Sequence, residues 1–401
     1  MAACSPDNSG PSAWRQHAIL AAVCLTFFSF SISTALFTAA SLLSLALWVM
    51  GGAWQQRDTW RQPWLLPVIA LVLLPWFGLL WTSAPLSEAV SLAGRGHYWL
   101  FALVACFCLA TEQRVRMLLS WYVAGSVLVA VMVMLYLAGL LPENAYLNKF
   151  QFVYYIAFSL HLVVALLVLA WFYRSSVRPV RIAILLLMLF LAVTITCLKG
   201  RSAYLALALM APWMCVTMFG RRRILPVCIS LALTVAVLMS SATVRNRLAL
   251  ISREVDLYRS GSALSYRMPD GSEMPSSIGL RMVMWKNALE IFRRQPLLGA
   301  GTAGYLHETG RIDPGHRYSH PHNSYLYVAA SYGLLGLGLY GWLLFVTLRR
   351  AWQARDRLSG HCILSFVFVI LIASLTDTQI ITAATGVALG FVVGIPTGEQ
   401  A

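Results

Sequence analysis

Charge is what this chain has least of. Asp, Glu, Lys and Arg make up 11% of its 401 residues, against about 25% in a typical soluble domain. One large core does not account for the deficit, because apolar residues reach 59% and the mean hydropathy is +0.71. Many membrane spans do. Lysine is scarcer still, present only at Lys149, Lys199 and Lys286, so the net charge of +15 is carried almost entirely by Arg. The polar stretch 242–322 has no cysteine; the eight cysteines lie in apolar runs or near the N-terminus. That excludes a disulfide framework and zinc-type spacing. There is also no repeat, no heptad seam, no GxGxxG and no P-loop. The basic residues are scattered over span-flanking loops and form no soluble basic face, which argues against nucleic acid as a partner.

What is there is a series of apolar runs long enough to cross a bilayer. They fall near 17–33, 34–51, 63–82, 96–111, 117–138, 152–173, 180–197, 202–219, 224–241, 323–348, 361–376 and 379–396. The first two read as an uncleaved hairpin, because the basic region before them holds Arg15 alone. Arginines cluster on alternate loops: Arg57 and Arg61; Arg114 and Arg116; Arg174, Arg178 and Arg181; Arg221 to Arg223; Arg349 to Arg357. The positive-inside rule makes those loops cytoplasmic, with both termini. The expected architecture is an all-α polytopic membrane protein of about twelve spans. Residues 1–241 hold the first nine, 242–322 form one long external loop, and 323–401 hold the last three.

Within that loop, 241–258 reads as a short amphipathic helix and 259–277 as an irregular Gly/Ser/Pro-rich excursion. The stretch 276–301 reads as a capped helix, with a serine N-cap before it and Pro296 and Gly299 after its end. Leu280, Met284, Ala288 and Ile291 form its apolar face; Lys286, Asn287, Glu290, Arg293 and Arg294 are its polar side. The stretch "GLLGLGLYG" (333–341) reads as close helix packing.

Candidate chemistry concentrates at the external face. Lys199 and Arg201 sit in a tight turn, and Arg201 opens the next helix. It reads either as a snorkelling side chain or as an anion anchor beside helix N-terminal amides. Arg281 stands near the start of the loop helix, where the macrodipole disfavours a cation; Trp285 is one turn on. His320 and His322 flank Pro321, and Asn323 follows. They read as a helix cap, as a general base near neutral pH, or as part of a metal site with His307, Glu308, Asp313 and His316. No H-E-x-x-H occurs. No carboxylate pair suited to glycoside hydrolysis stands out among Glu88, Glu143, the loop acids and Asp377. No D-x-D occurs either.

The stretch "GLRMVMWKNALEIFRRQPLLGAGTAGY", then "HPHNSYL", then "YGLLGLGLY", resembles the O-antigen ligase family, which shares this region with the O-antigen polymerases. The resemblance rests on Arg281, Trp285, Pro296 to Gly301, His322, Asn323 and Leu326. It implies a GT-C-like fold in the inner membrane of a Gram-negative bacterium, with a periplasmic active site. It implies an undecaprenyl-diphosphate-linked O-antigen donor, a lipid A–core sugar hydroxyl as acceptor, and inverting transfer with no metal or cofactor. The family's essential arginines map onto Arg201 and Arg281 and its essential histidine onto His322. His320, Asn323, Lys199 and Trp285 are supporting candidates. The rival readings are an O-antigen polymerase, for which 139–151 is a short second loop, and a protein O-oligosaccharyltransferase. A transporter, with His161 as its midspan ionisable group, is the reading from a different class.

Overall fold

The computed structural model describes residues 11–142, 155–198, 200–220, 277–314 and 317–398, with single positions and two short strands between 232 and 275. The helices are α1 (Pro11–Ser29), α2 (Thr34–Met50), α3 (Leu65–Phe77), α4 (Leu86–Ala93), α5 (Phe101–Cys108), α6 (Glu112–Leu137), α7 (Tyr155–Ser175), α8 (Arg178–Cys197), α9 (Arg201–Phe219), α10 (Ser277–Arg294), α11 (Gly304–Ile312), α12 (Ser324–Gln353), α13 (Leu358–Ala373) and α14 (Ala383–Gly394). A 3-10 stretch, Gly94–Leu100, joins α4 to α5. Among the described residues the fold is helical, as expected, apart from one antiparallel pair, β1 (Ser265–Arg267) with β2 (Glu273–Pro275). That pair lies in the stretch read as irregular.

Each expected run coincides with a helix except 224–241, which lies outside the continuously described residues. Among the described residues six segments are long and apolar enough to cross a membrane: 86–108, 112–137, 155–175, 178–197, 201–219 and 324–353. Thr34–Met50, Leu65–Leu80, Leu358–Ala373 and Ala383–Gly394 are apolar but shorter. The first of the six differs from expectation. Residues 86–93, read as a connection, are helical and run through the 3-10 stretch into α5.

The centre of the bundle is α7. Its residues from Phe158 to Trp171 are buried almost without a break, as for a helix that is apolar all round and enclosed by others. It packs against α6, α8, α9 and α13. By contrast α8 keeps Ile182, Leu186 and Leu189 exposed. In lipid, apolar surface gives helices little reason to associate, so close backbone approach has to hold them together. Gly386, Gly390 and Gly394 form such a stripe on α14, where any Cβ would strike Tyr98 or Ala102. This stripe fixes the segment that carries Arg95.

At one end the start of α13 meets the start of α6, where the Glu112 carboxylate accepts from the Ser359 N–H and hydroxyl. Arg350 donates to the Val393 and Ile395 carbonyls there. Functional candidates gather at the other end.

A second backbone device sits in α12. Gly333 (φ 61, ψ −154) breaks the helix into two segments. A broken helix inside a membrane must have its freed groups paired, and residues 296–301 supply the partners. The Ala300 and Gly301 N–H groups donate to the Ala330 and Ser331 carbonyls at 2.8 and 2.9 Å. The Leu334 and Leu335 N–H groups donate to the Pro296 and Leu297 carbonyls at 2.8 and 3.1 Å. Gly299 (φ 65) lies so close that a Cβ would stand 2.5 Å from Tyr332 N. The "PLLGAG" turn and the glycine-rich span are therefore one clasp, and Gly333 is a break point in addition to a packing residue.

Candidate functional site

The clasp and α10 together place the histidine segment. Trp285 donates its indole N–H to the Pro321 carbonyl at 2.9 Å. It is a strut between α10 and the segment before α12. Arg281, four residues earlier, shares that face and is half-buried. It is the fifth residue of α10, so the dipole argument applies to it less than expected. Ser276, which precedes the helix, lies outside the described residues. Asn287 departs from expectation: it is buried beside Met284, Ala288 and Ile291, because this side of α10 packs on α12 and not on solvent.

Asn323 caps α12. Its Oδ1 accepts the Leu326 N–H at 3.0 Å, and its amide donates to the Leu375 carbonyl at 3.1 Å. Its backbone N–H donates to Thr378 Oγ1 at 3.1 Å. These bonds tie the start of α12 to the turn after α13. The Asn323 side chain is thus spent on Leu326 and Leu375, with no bond from it to the His322 ring among the described residues.

The His322 ring is oriented by Asp377. His322 Nδ1 and Asp377 Oδ1 are 2.9 Å apart. An ionised carboxylate only accepts, so Nδ1 carries the proton and Nε2 of the neutral ring keeps its lone pair. The carboxylate is itself fixed by the Thr378 N–H at 2.8 Å and by the Gln379 amide at 3.3 Å. Burial alone would push the Asp377 carboxyl up; the hydrogen bonds and charge of His322, with the Thr378 N–H, outweigh it and hold the carboxyl below its ordinary value. His322 has φ 50, a left-handed conformation rare for a residue with Cβ. Strain of that kind persists only where surrounding bonds over-determine it. Trp285 before it and Asn323 after it supply those bonds.

His320 packs edge-on against His322, with ring centroids 4.4 Å apart. Its Nδ1 is buried and has no hydrogen-bond partner among the described residues. Burial first, and the neighbouring His322 second, hold its imidazole down to about 4. The ligating atoms of His320, His322 and Asp377 lie within 4.8 Å of one another, so the three could hold a metal ion. The metal partners read from sequence are placed otherwise. His307 pairs with Glu88 at 3.0 Å and Glu308 with Arg311 at 2.6 Å; His316 lies outside the described residues.

Arg201 begins α9, directly after Gly200, and is half-buried. The next residue, Ser202, meets the Thr376 hydroxyl at 2.6 Å. The helix end carrying Arg201 is thus seated against the turn that carries Asp377. Lys199 lies outside the described residues.

His320, His322 and Asp377 open on a cavity of about 1380 Å³. Its other walls come from the α1–α2 turn, α4, Arg95 and the first turns of α7 around His161. Sequence reasoning noted Asp377 and Glu88 only as external acids and missed Arg95. The signal for Asp377 was available: an acid in a turn between two apolar runs needs a partner at that depth. No local motif marks Arg95.

A large cavity at one end of the multi-pass helical bundle, with a fixed histidine–carboxylate pair in its wall, is the candidate site of a membrane protein; among its lining residues Arg95 is present, and neither Arg201 nor Arg281 is. Residues 186–341 match the family described as O-antigen ligase, and this part of the chain is similar to that family. No curated protein matches the chain.

Proposed function

We propose that this protein is a ligase: it transfers O-antigen glycan from undecaprenyl diphosphate to a sugar hydroxyl of lipid A–core. His322 is the general base and Asp377 its positioning partner. Arg201 and Arg281 bind the diphosphate. The acceptor oxygen attacks the anomeric carbon from the face opposite the leaving group, its proton passes to His322 Nε2, and the C–O bond to the diphosphate breaks with inversion. Charge-assisted bonds from two arginines, roughly 1.5–3 kcal/mol each, stabilise the departing diphosphate. A base in this position contributes typically about 10²–10⁴-fold. The proposal includes about twelve spans of GT-C type in a Gram-negative inner membrane. Both termini are cytoplasmic, and the cavity and loop 242–322 are periplasmic.

The observation that carries the reading is the 2.9 Å His322–Asp377 contact at the cavity wall, in the turn against which the Arg201 helix is seated. The test is a membrane assay with lipid-linked glycan and two acceptors, lipid A–core and free glycan. Extension of lipid A–core is expected. Extension of free glycan alone would make the protein a polymerase, and no transfer would favour a transporter. Clustering of His320, His322 and Asp377 within 4.8 Å supports a second reading, a bound divalent cation. Transfer that persists in EDTA supports the base; loss in EDTA with recovery on added zinc supports the metal.

A further inference from the structure

The turn 374–382 has cationic helices at both ends. At its start Ser202 meets Thr376, which places the Arg201 helix there. At its far end Arg95 donates from Nη1 to the Ile381 carbonyl at 3.2 Å. The His322–Asp377 pair lies between. Arg95 is exposed and lines the large cavity. Among the described residues no carboxylate is paired with it; Glu88, two turns back, is engaged by His307.

Arg95 also stands at a junction. A smaller pocket, about 80 Å³, lies between α3, the 3-10 stretch and α12. Leu92, Arg95, Tyr98, Tyr327 and Ile381 line both it and the large cavity. Deeper in, its walls are apolar and aromatic, with Trp99, Tyr332 and Tyr340. One space therefore offers a guanidinium at its mouth and hydrocarbon contact behind it. A chain bearing a phosphate or carboxylate at its polar end has that shape.

We infer that Arg95 and the Tyr98–Trp99–Tyr327 pocket form an anion-binding site for the acceptor. They hold an acidic glycolipid on the side of His322 away from the Arg201 helix. The inference rests on the transfer reading above. A transferase must hold two substrates with the base between them. Arg201 and Arg281 lie toward α9 and α10, whereas Arg95 approaches the base from the α3–α4 side. The segment holding Arg95 packs on the α14 glycine stripe, so its backbone has a set position while the exposed side chain keeps its freedom to adapt.

The test compares wild type, Arg95→Gln and Arg95→Lys, each as the full chain in nanodiscs, after expression and thermal stability are shown to be equal. Arg95→Gln is expected to raise the acceptor KM roughly 10–100-fold, the loss of one charge-assisted contact. The donor KM and kcat should stay within about twofold, and Arg95→Lys should recover part of the loss. Acceptor stripped of its phosphates by phosphatase should erase most of the difference between wild type and Arg95→Gln. A raised donor KM, or no change in either KM, overturns the assignment.

A second arm does not depend on turnover. Native mass spectrometry counts bound 1-oleoyl lysophosphatidate against neutral 1-oleoyl glycerol. One phosphate-dependent equivalent lost in Arg95→Gln and kept in Arg201→Gln supports the site; equal binding in both variants overturns it. If wild type extends neither acceptor while this binding pattern holds, the transfer reading fails and the anion site stands.

Discussion

Two walls of the cavity are unlike. One is lined by Ser319, His320 and His322, and is held from behind by α10 and the "PLLGAG" turn through bonds to backbone. Trp285 grips the Pro321 carbonyl, and the clasp around Gly333 locks the turn to α12. The other includes α4 and the 3-10 stretch, held by packing on the α14 glycine stripe and by side-chain bonds such as His307–Glu88. The first wall carries the proposed base at φ 50; the second carries an arginine with a long, adaptable stem. Proton transfer demands a donor–acceptor distance set to a few tenths of an ångström, and fixed backbone provides it. Recognition of a varied acceptor tolerates looser placement.

The sharpest way to break that contrast is at the base. Replacing His322 should cost about 10²–10⁴-fold in transfer rate. His322→Asn is the better variant beside His322→Ala, because Asn tolerates a positive φ and removes only the chemistry. Full ligation by membranes carrying His322→Asn would end the base assignment. Arg201→Ala and Arg281→Ala come next, each about 10–150-fold for one lost charge-assisted contact, with the protein still present in the membrane fraction. Asp377→Asn should fall below these. It preserves shape but gives Nδ1 a weaker acceptor, and transfer should decline without a matching loss of thermal stability.

The first wall was largely legible in the sequence and the second was not. Arg281, Trp285, the "PLLGAG" turn, His322 and Asn323 lie within one contiguous stretch, so local spacing reveals them. Helix positions were legible for the same reason: an apolar run long enough to span a bilayer is a local signal. Asp377 is 55 residues beyond His322, and Arg95 reaches its place through helix packing. Their pairing depends on tertiary contacts that no window of sequence contains. The glycine stretch 333–341 was read for composition, and its break at Gly333 emerges only with the partner segment 296–301 in place.

That break offers a comparison on stability alone. Gly333→Ala forces a Cβ onto the Leu297 carbonyl at a backbone angle foreign to L-residues. The conformation by itself costs about 1–3 kcal/mol, before the clash. Gly338 and Gly341, in the same stretch, have nothing within 4 Å of the point where an added methyl would stand. Gly338→Ala should be neutral or slightly stabilising, since glycine costs roughly 0.5–1 kcal/mol inside a helix. Gly341→Ala should behave like Gly338→Ala. A thermal-shift series on the three variants checks this; equal melting temperatures would remove the clasp from the account.

The smallest effect concerns His320, whose titratable neighbours are His322 and Asp377. Its imidazole is held down to about 4, by burial first and by His322 second, against an ordinary value near 6.5. The unfolded chain therefore binds a proton below about 6.5 that the folded protein refuses until about 4. Stability supplied by neutral His320 is complete above the ordinary value and is lost as pH falls through this window. Asp377, whose carboxyl is held below its ordinary value, adds a loss of its own that falls mainly below this window, as pH drops through the ordinary carboxyl value toward the lower folded one. His320→Gln should flatten the fall in melting temperature between about pH 6.5 and 4 while leaving neutral-pH transfer within a few-fold of wild type. A fall as steep as that of wild type would show that acid sensitivity arises elsewhere. A loss of transfer as deep as that of His322→Asn would make His320 a second essential group, and with unchanged stability it would revive the cation shared by His320, His322 and Asp377.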